Sequence, residues 1–309
     1  MNKKDVKILF MGTPDIARDC LAQILEDGWN VTAVFTREDK PVGRKQIMTA
    51  PPVKQLAVEH NIPVYQPKTL KGEYTDVIAN LAPDMIVVVA YGRILPKAVI
   101  DVPQFGCLNL HVSLLPKYRG AAPIQWSLIN GDTQTGVTVM HIDEGLDTGD
   151  IIDVLPIDID PDEDSEQLFE KVTAEGKVFL SKVMENVVSG DYTRTVQDHE
   201  KATLAPPLTK EMAFFDFDTD ALTLHNKIRG QNPWPSAHFM YEGKKIKVLK
   251  AKVMPESGKR GEILSTKPLV VAAGEKSLQL ITVQPEGGKA MDGTAWAAGR
   301  RFKKGDSVL

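Results

Sequence analysis

Short apolar runs alternate with helical patterns through the first 160 residues, and this alternation constrains the fold more than any other feature. The continuous run Val6–Met11 is typical of a parallel strand buried on both faces, and Met85–Ala90 repeats the pattern. Apolar residues at helical spacing lie between most of these runs. Such alternation predicts an α/β fold with a parallel, doubly wound sheet.

The last third of the chain replaces this alternation with short apolar runs separated by Gly- and Lys-containing turns. That spacing predicts a small antiparallel barrel or sandwich. Residues 193–210 are polar and contain Pro206 and Pro207, which is typical of a linker. The sequence therefore predicts two domains, 1–192 and 211–309, joined by residues 193–210.

Cysteine content and hydropathy indicate the cellular compartment of this protein. The only cysteines, Cys20 and Cys107, exclude a disulfide framework and a zinc site made of several thiolates. Both stand in apolar surroundings, so we expect buried, reduced thiols. No apolar run approaches the roughly 20 residues that a membrane span requires. We expect a soluble cytoplasmic protein.

The net charge of −4 conceals an uneven distribution along the chain. Residues 208–309 contain 17 Lys and Arg against 11 Asp and Glu, a net charge of +6, and the preceding residues carry −10. A basic final third favours a polyanionic partner such as nucleic acid, although a solvated lysine-rich surface has the same composition.

The sequence lacks the motifs of several classes of enzyme. The turn after the first predicted strand, Met11–Asp15, lacks the G-x-G-x-x-G spacing that dinucleotides require. The sequence also lacks the G-x-x-x-x-G-K-[ST] loop of P-loop enzymes and the G-x-S-x-G elbow of serine hydrolases.

The chemistry-bearing residues concentrate between Asn109 and Asp150. Asn109 and His111 are two apart at the end of a predicted strand and share one face of the sheet. An amide can hold an oxyanion, an imidazole can move protons, and the carboxylate of Asp147 can fix that imidazole. Structural roles remain open here, because such residues also satisfy buried backbone groups or cap turns.

Beyond these three side chains, a longer pattern carries a family resemblance. Asn109 and His111 precede Ser113–Pro116, Arg119–Ile124 and Asp147–Gly149. Together these segments resemble the signature of the formyltetrahydrofolate-dependent formyltransferases. The resemblance implies a Rossmann-like, mostly parallel first domain and an OB-like antiparallel β-barrel that binds tRNA.

Three further segments resemble the branch of this family that formylates methionyl initiator tRNA: Phe10–Pro14, Asp39–Pro41 and Asn232–Pro235. The resemblance implies transfer of a formyl group from 10-formyltetrahydrofolate to the α-amine of methionyl initiator tRNA in translation initiation. It implies no metal, and we expect a monomer.

The resemblance also assigns roles to individual residues. The implied catalytic residues are Asn109, His111 and Asp147. The implied folate-binding residues are Ser113, Leu114, Leu115, Pro116, Arg93, Ile94 and Leu95. Residues 37–50, which have the polar composition of a loop, resemble the segment that the family places against the tRNA acceptor arm, with Arg44 and Lys45 as contacts.

Other functions share parts of this pattern. A formyltransferase acting on an amino sugar nucleotide would carry the same amide, imidazole and carboxylate. A formyl-folate hydrolase would hold water in place of the amine. A non-catalytic RNA- or folate-binding module would need only the second domain. The basic final third favours tRNA among these alternatives.

Overall fold

The computed structural model describes residues 2–43 and 45–309. The strands, in chain order, are β1 (Lys7–Gly12), β2 (Asn30–Phe35), β3 (Lys40–Val42), β4 (Ile47–Thr49), β5 (Val64–Tyr65), β6 (Met85–Val89), β7 (Cys107–His111), β8 (Arg119–Gly120), β9 (Gln134–His141), β10 (Ile151–Asp158), β11 (Leu204–Ala205), β12 (His238–Tyr241), β13 (Lys244–Met254), β14 (Ile263–Thr266), β15 (Leu269–Ala272), β16 (Ser277–Pro285) and β17 (Met291–Asp292). The α-helices are α1 (Asp15–Glu26), α2 (Pro52–Glu59), α3 (Glu73–Leu81), α4 (Lys97–Ile100), α5 (Pro123–Ile129), α6 (Ser165–Ser189), α7 (Ala221–Gly230) and α8 (Gly293–Arg300).

The largest sheet has the strand order β10-β9-β7-β6-β1-β2-β5. Strand β1 pairs in parallel with β2 and with β6, and β6 pairs in parallel with β7. Only β7 and β9 are shown to pair antiparallel among the described ladders of this sheet. The chain leaves β1 in one direction and returns to its other side at β6, which creates a topological switch point. The predicted α/β class is confirmed.

The continuous apolar runs form the central strands as expected. All five residues of β6 are buried, and so are all residues of β1 after Lys7. No strand is predicted over residues 151–158, yet β10 lies there. Its buried residues are interspersed with exposed ones that include Asp153 and Asp158, so no continuous apolar run marks it.

Residues 37–50 differ from the expected loop. Lys40–Val42 and Ile47–Thr49 pair antiparallel, with Lys40 opposite Thr49, and form a short hairpin. All residues of both strands are exposed. Strands this short and exposed on both faces need no alternation of apolar and polar residues. The hydrophobic pattern of the sequence therefore does not indicate them.

The C-terminal strands form a second sheet with the order β12-β13-β16-β15-β14, and β17 pairs with β16. Its ladders are antiparallel, as predicted. The pairing path does not close between β12 and β14 within the described part of the chain. Helix α8, which the sequence analysis did not anticipate, begins after Asp292, whose carboxylate accepts from the Thr294 and Ala295 N–H groups.

The chain groups into two compact units. One comprises the chain up to Gly120 with Gly136–Ile157 and Lys171–Leu204, and the other Ala121–Thr135, Asp158–Glu170 and Ala205–Leu309. The predicted linker contributes structure to the first unit, since Thr195 exchanges backbone hydrogen bonds with Ile151 at 2.9 and 2.8 Å.

Each unit buries its own apolar residues. A core of the first unit contains Leu9, Met11, Phe35, Leu70, Ile78, Ile86, Val88, Tyr91, Leu95, Val99 and Cys107. The core of the second unit is built around Phe215, Phe217, Phe239 and Trp296 with aliphatic residues of β13–β16. Ring pairs there meet edge to face, for example Phe217 and Phe239 at 5.2 Å.

Both cysteines are buried and free, as expected. Burial raises the pKa of the Cys20 thiol and of the Cys107 thiol to about 12. None of the helices in the described residues is long and apolar enough to cross a membrane.

Candidate active site

The candidate site lies at the carboxyl end of β7, beside the switch point of the first unit's sheet. Val88 of β6 lies opposite Asn109, and Thr138 of β9 lies opposite His111. Ligands in open α/β sheets bind beyond these strand ends. Strand periodicity alone places the two predicted side chains on one face.

The His111 imidazole is almost fully buried, with 6% of the residue exposed. Its Nε2 lies 2.9 Å from the Tyr118 carbonyl oxygen. Because a carbonyl oxygen only accepts hydrogen bonds, we assign the proton of the neutral ring to Nε2. The lone pair of the neutral ring is then on Nδ1, which is the nitrogen available to take up a proton.

The Asp147 carboxylate faces that nitrogen. Its Oδ2 lies 3.7 Å from His111 Nδ1 and accepts a hydrogen bond from the Gly120 N–H at 2.8 Å. Asp147 has a φ of 51°, in the left-handed region that non-glycine residues adopt infrequently. The loop therefore presents the carboxylate at a local conformational cost, and the carboxylate can stabilise a charged imidazole.

Asn109 is partly exposed. Within residues 2–43 and 45–309, its carboxamide forms no hydrogen bond with another protein group. An amide that is anchored on a strand and uncommitted can donate to a ligand without breaking an existing bond.

The segment Ser113–Pro116 turns away from the end of β7. The Ser113 Oγ donates to the Lys117 carbonyl at 2.6 Å, and its own carbonyl accepts from Thr138 Oγ1 at 2.7 Å. The Leu115 N–H donates to the same Thr138 oxygen at 3.1 Å. The hydroxyl of Ser113 thus stabilises the turn, whereas Leu114 and Pro116 remain partly exposed.

Arg93, Ile94 and Leu95 follow β6 and differ strongly in exposure. The Arg93 guanidinium donates to both Glu38 carboxylate oxygens, at 3.1 and 3.0 Å, and to the Lys68 carbonyl. Ile94 is 88% exposed, whereas Leu95 belongs to the buried core. A hydrogen bond from its own backbone, with a further contribution from Arg93, lowers the pKa of Glu38.

Of the two residues predicted to contact tRNA, Lys45 is exposed in the turn between β3 and β4, and Arg44 lies outside the described residues. Lys54 links the base of this hairpin to the sheet, because its ammonium contacts both Asp39 oxygens and Gln66 Oε1 at 2.9 Å.

Gln197 is a site neighbour that the sequence analysis did not find. Its amide donates to the carbonyls of Asp147 at 2.9 Å and Gly149 at 2.8 Å, and its oxygen accepts from the Arg119 guanidinium. A lone glutamine in a polar stretch carries no motif, so no sequence signal distinguishes it. Arg119 also lies within 3.2 Å of His199 Nδ1.

His141 lies at the end of β9, close to the start of the loop that carries Asp147. Burial, assisted by Arg194, lowers the pKa of its imidazole to about 4. Its Nε2 is buried without a hydrogen-bond partner among the described groups. The ring is therefore neutral and packs as a core residue, with Tyr192 at 6.0 Å between ring centroids. The described residues contain no group of three or more His, Cys, Asp or Glu arranged to hold a metal ion.

Two sequence-family patterns match the chain. The pattern described as formyl transferase matches residues 6–184, and that described as formyl transferase, C-terminal domain, matches residues 207–301. Asn109, His111 and Asp147 lie within the first match, whereas Gln197 lies between the two matches. The chain belongs to the formyl transferase family, and the predicted family is confirmed.

Within that family, the chain is similar to methionyl-tRNA formyltransferases. The enzyme of that name from Geobacter sulfurreducens is 42% identical over 303 residues, which are 97% of this chain and 96% of the relative. The one from Clostridioides difficile is 48% identical over 252 residues, which are 81% of this chain and 82% of the relative.

Solved structures share the fold at low sequence identity. An N-formyltransferase from Helicobacter canadensis, in complex with folinic acid and dTDP-3-aminofucose, matches with a TM-score of 0.69 and 20% identity, covering 89% of this chain and 99% of that one. HypX from Aquifex aeolicus, in complex with tetrahydrofolic acid, matches with a TM-score of 0.62 and 16% identity, covering 98% and 50%.

Proposed function

We propose that the protein transfers the formyl group of 10-formyltetrahydrofolate to the α-amine of methionyl initiator tRNA, in the cytoplasm and as a monomer. The main support is the pairing of His111 with Asp147 at the end of β7, two residues from the uncommitted amide of Asn109. Relatives that match almost the whole chain are methionyl-tRNA formyltransferases.

The reaction begins with attack of a neutral amine on the formyl carbon. A free α-amino group titrates near 7.7–8.0, so a useful fraction is neutral at physiological pH. As the new C–N bond forms, negative charge develops on the formyl oxygen, and the Asn109 amide donates to it. Collapse of the tetrahedral intermediate breaks the bond between the formyl carbon and N10 of the folate.

His111 carries the proton from the attacking amine to the departing N10 in this proposal. Its Nδ1 has the lone pair of the neutral ring because Nε2 is committed to the Tyr118 carbonyl. Once protonated, the imidazolium is stabilised by the Asp147 carboxylate, 3.7 Å away.

Two segments beside β6 and β7 are proposed to bind the folate: Arg93–Leu95 and Ser113–Pro116. Exposed Ile94 and partly exposed Leu114 and Pro116 offer apolar surface for a flat ring system. The ion pair of Arg93 with Glu38 and the Ser113–Lys117 hydrogen bond stabilise the backbone of these segments. Such support suits a site that must orient its ligand.

We further propose that residues 1–192 carry catalysis and that residues 211–309, joined by 193–210, bind tRNA. The lysines of β13 support this role. Lys244, Lys245, Lys250 and Lys252 are exposed, whereas Ile246, Val248 and Ala251 of the same strand are buried. Arg44 and Lys45, which lie between β3 and β4 in the sequence, are proposed as further contacts to tRNA.

The test compares acceptors under identical conditions. The purified protein receives 10-formyltetrahydrofolate with either methionyl initiator tRNA or a dTDP-linked amino sugar, and formylated product is measured. We expect formylmethionyl-tRNA as the product. Formylation of the amino sugar alone, or formate release without any acceptor, would contradict the proposal.

A salt series tests the tRNA-binding surface separately. The variant Lys250→Glu/Lys252→Glu is expected to weaken tRNA binding and to reduce the slope of log affinity against log salt by roughly one per lost phosphate contact. Lys182→Glu, which changes an exposed lysine of α6, provides the matched control. An unchanged salt slope in the double variant would place the tRNA elsewhere.

A further inference from the structure

Gln197 holds the loop that carries Asp147 in a buried network of hydrogen bonds. Only 3% of Gln197 is exposed, and 7% of Arg119. Nε2 of Gln197 donates to the carbonyls of Asp147 at 2.9 Å and of Gly149 at 2.8 Å. Its Oε1 accepts from Nε of Arg119 at 3.1 Å and from Nη2 at 2.6 Å. One carboxamide thus uses its donor side and its acceptor side at once.

Arg119, which donates to that amide, stands in the chain between Tyr118 and Gly120. The backbone groups of these two neighbours contact His111 and Asp147. The carbonyl of Tyr118 accepts a hydrogen bond from His111 Nε2, and the N–H of Gly120 donates one to the Asp147 carboxylate. Gln197 connects the side chain of Arg119 back to the Asp147 backbone. These hydrogen bonds, together with the peptide chain, therefore form a closed network that contains both His111 and Asp147.

We propose that Gln197 is a positioning residue, which sets the distance and direction of the Asp147 carboxylate relative to His111 Nδ1. This inference rests on the proposed function, because it assumes that Asp147 stabilises the protonated imidazole. Gln197 contacts no reacting atom. It acts through the loop, whose residue Asp147 already has an unfavourable positive φ and depends on its surroundings to keep that conformation.

The positioning depends on the NH₂ group of the Gln197 amide. Two carbonyl oxygens converge on a single Nε2, and both lose this donor when the amide is removed. A glutamate side chain at position 197 would keep an acceptor for Arg119. It would also place a carboxylate oxygen against two carbonyl oxygens, which repel it. Glutamine is thus the residue whose geometry satisfies all three neighbours.

The experiment is a double-mutant cycle between positions 197 and 147, measured by formylation of methionyl-tRNA. Gln197→Ala is expected to lower kcat roughly 10- to 100-fold, because a small displacement of a catalytic group has an effect of this order. The KM values for both substrates are expected to stay within about twofold. In an Asp147→Asn background, the same change at 197 is expected to lower kcat by less than about threefold.

Gln197→Glu tests the donor role of the amide separately from its acceptor role, because it keeps an acceptor and removes the donor. It is expected to lower kcat at least as much as Gln197→Ala does, since the donor is replaced by a repelling oxygen. Wild-type turnover in Gln197→Glu would overturn the proposal, and so would equal fold-losses for the change at 197 in both backgrounds. Gln104→Ala removes an exposed amide that bonds Asp84 at 2.8 Å and serves as the control with normal turnover.

Folding is followed by the unfolding temperature of each variant. If Gln197→Ala is too unstable to assay, Gln197→Met replaces it, because methionine fills a similar volume without polar groups. Failure of the proposed function has a different signature: the wild-type protein would then not formylate methionyl-tRNA, whatever residue stands at position 197.

Discussion

The Gly120 N–H donates a hydrogen bond to the Asp147 carboxylate at 2.8 Å, so the acid is bound to the backbone as well as facing His111. Two functions of this carboxylate can therefore be separated. One is electrostatic and requires the charge. The other is structural and requires only an oxygen that accepts a hydrogen bond.

Asp147→Asn keeps an acceptor for Gly120 and removes the charge. We expect kcat to fall about 100-fold or more, with little change in unfolding temperature, because the protonated imidazole loses its counter-charge. Asp147→Ala removes both functions and is expected to unfold more easily by about 1 kcal/mol. Steady-state kinetics and thermal unfolding measure the two effects, and normal turnover in Asp147→Asn would refute the assignment.

Asn109→Ala tests the oxyanion donor. We expect kcat to fall about 10²–10³-fold, the usual effect of removing one such donor. The unfolding temperature is expected to remain near that of the wild type, since the Asn109 amide forms no hydrogen bond within the described residues. The measurement is formylation at saturating substrate, with circular dichroism as the check on folding. A loss confined to KM would argue against transition-state stabilisation.

Gly149→Ala tests how closely the Asp147 loop packs on β9. A Cβ at this position would lie 1.9 Å from the His141 carbonyl oxygen, and backbone cannot move aside as a flexible side chain can. We expect a stability loss of about 1–3 kcal/mol together with reduced turnover. Gly299→Ala, where the added Cβ meets open space, is the control and is expected to be neutral or stabilising. Equal denaturation midpoints for the two variants would contradict this packing.

Stability is expected to depend on pH through His141. Burial lowers the pKa of its folded-state imidazole to about 4, below its ordinary 6.5, so the unfolded chain binds the proton first as the pH falls. The stability that the neutral ring contributes is present above about pH 6.5 and is lost as the pH falls toward 4. The shift corresponds to at most about 3 kcal/mol.

Denaturant unfolding at pH 7 and pH 5 checks this dependence. His141→Leu is expected to lose less stability between these two pH values than the wild type does. His60→Gln, which changes an exposed histidine, is expected to keep the wild-type difference. Identical pH dependence in His141→Leu and the wild type would show that another group titrates.

Much of the fold follows from patterns that short segments contain. The buried runs of β1 and β6 are apolar throughout, and period-two spacing puts Asn109 and His111 on one face of β7. The turn Glu242–Gly243 joins β12 to β13, with φ values of 49° and 72° that suit a two-residue hairpin.

The remainder of the site depends on contacts that no local pattern contains. Gln197 meets Arg119 from 78 positions away, and only the folded topology brings them together. Tyr118 contributes a backbone carbonyl and Gly120 a backbone N–H; all residue types have the first and all but proline the second, so these groups leave no signature in a sequence. The sequence motifs predict His111 and Asp147, which the structure places 3.7 Å apart, but they do not indicate the groups that hold these two side chains.

The burial of Cys20 and Cys107 has a practical consequence. Thiolates are the forms that react with alkylating reagents and oxidants, and a thiol with a pKa of about 12 holds almost none at neutral pH. We therefore expect both thiols of the native protein to react slowly with such reagents. Cys20 lies in α1 and Cys107 in β7, so we expect modification of either sulfur to report local unfolding of the first unit without an added label.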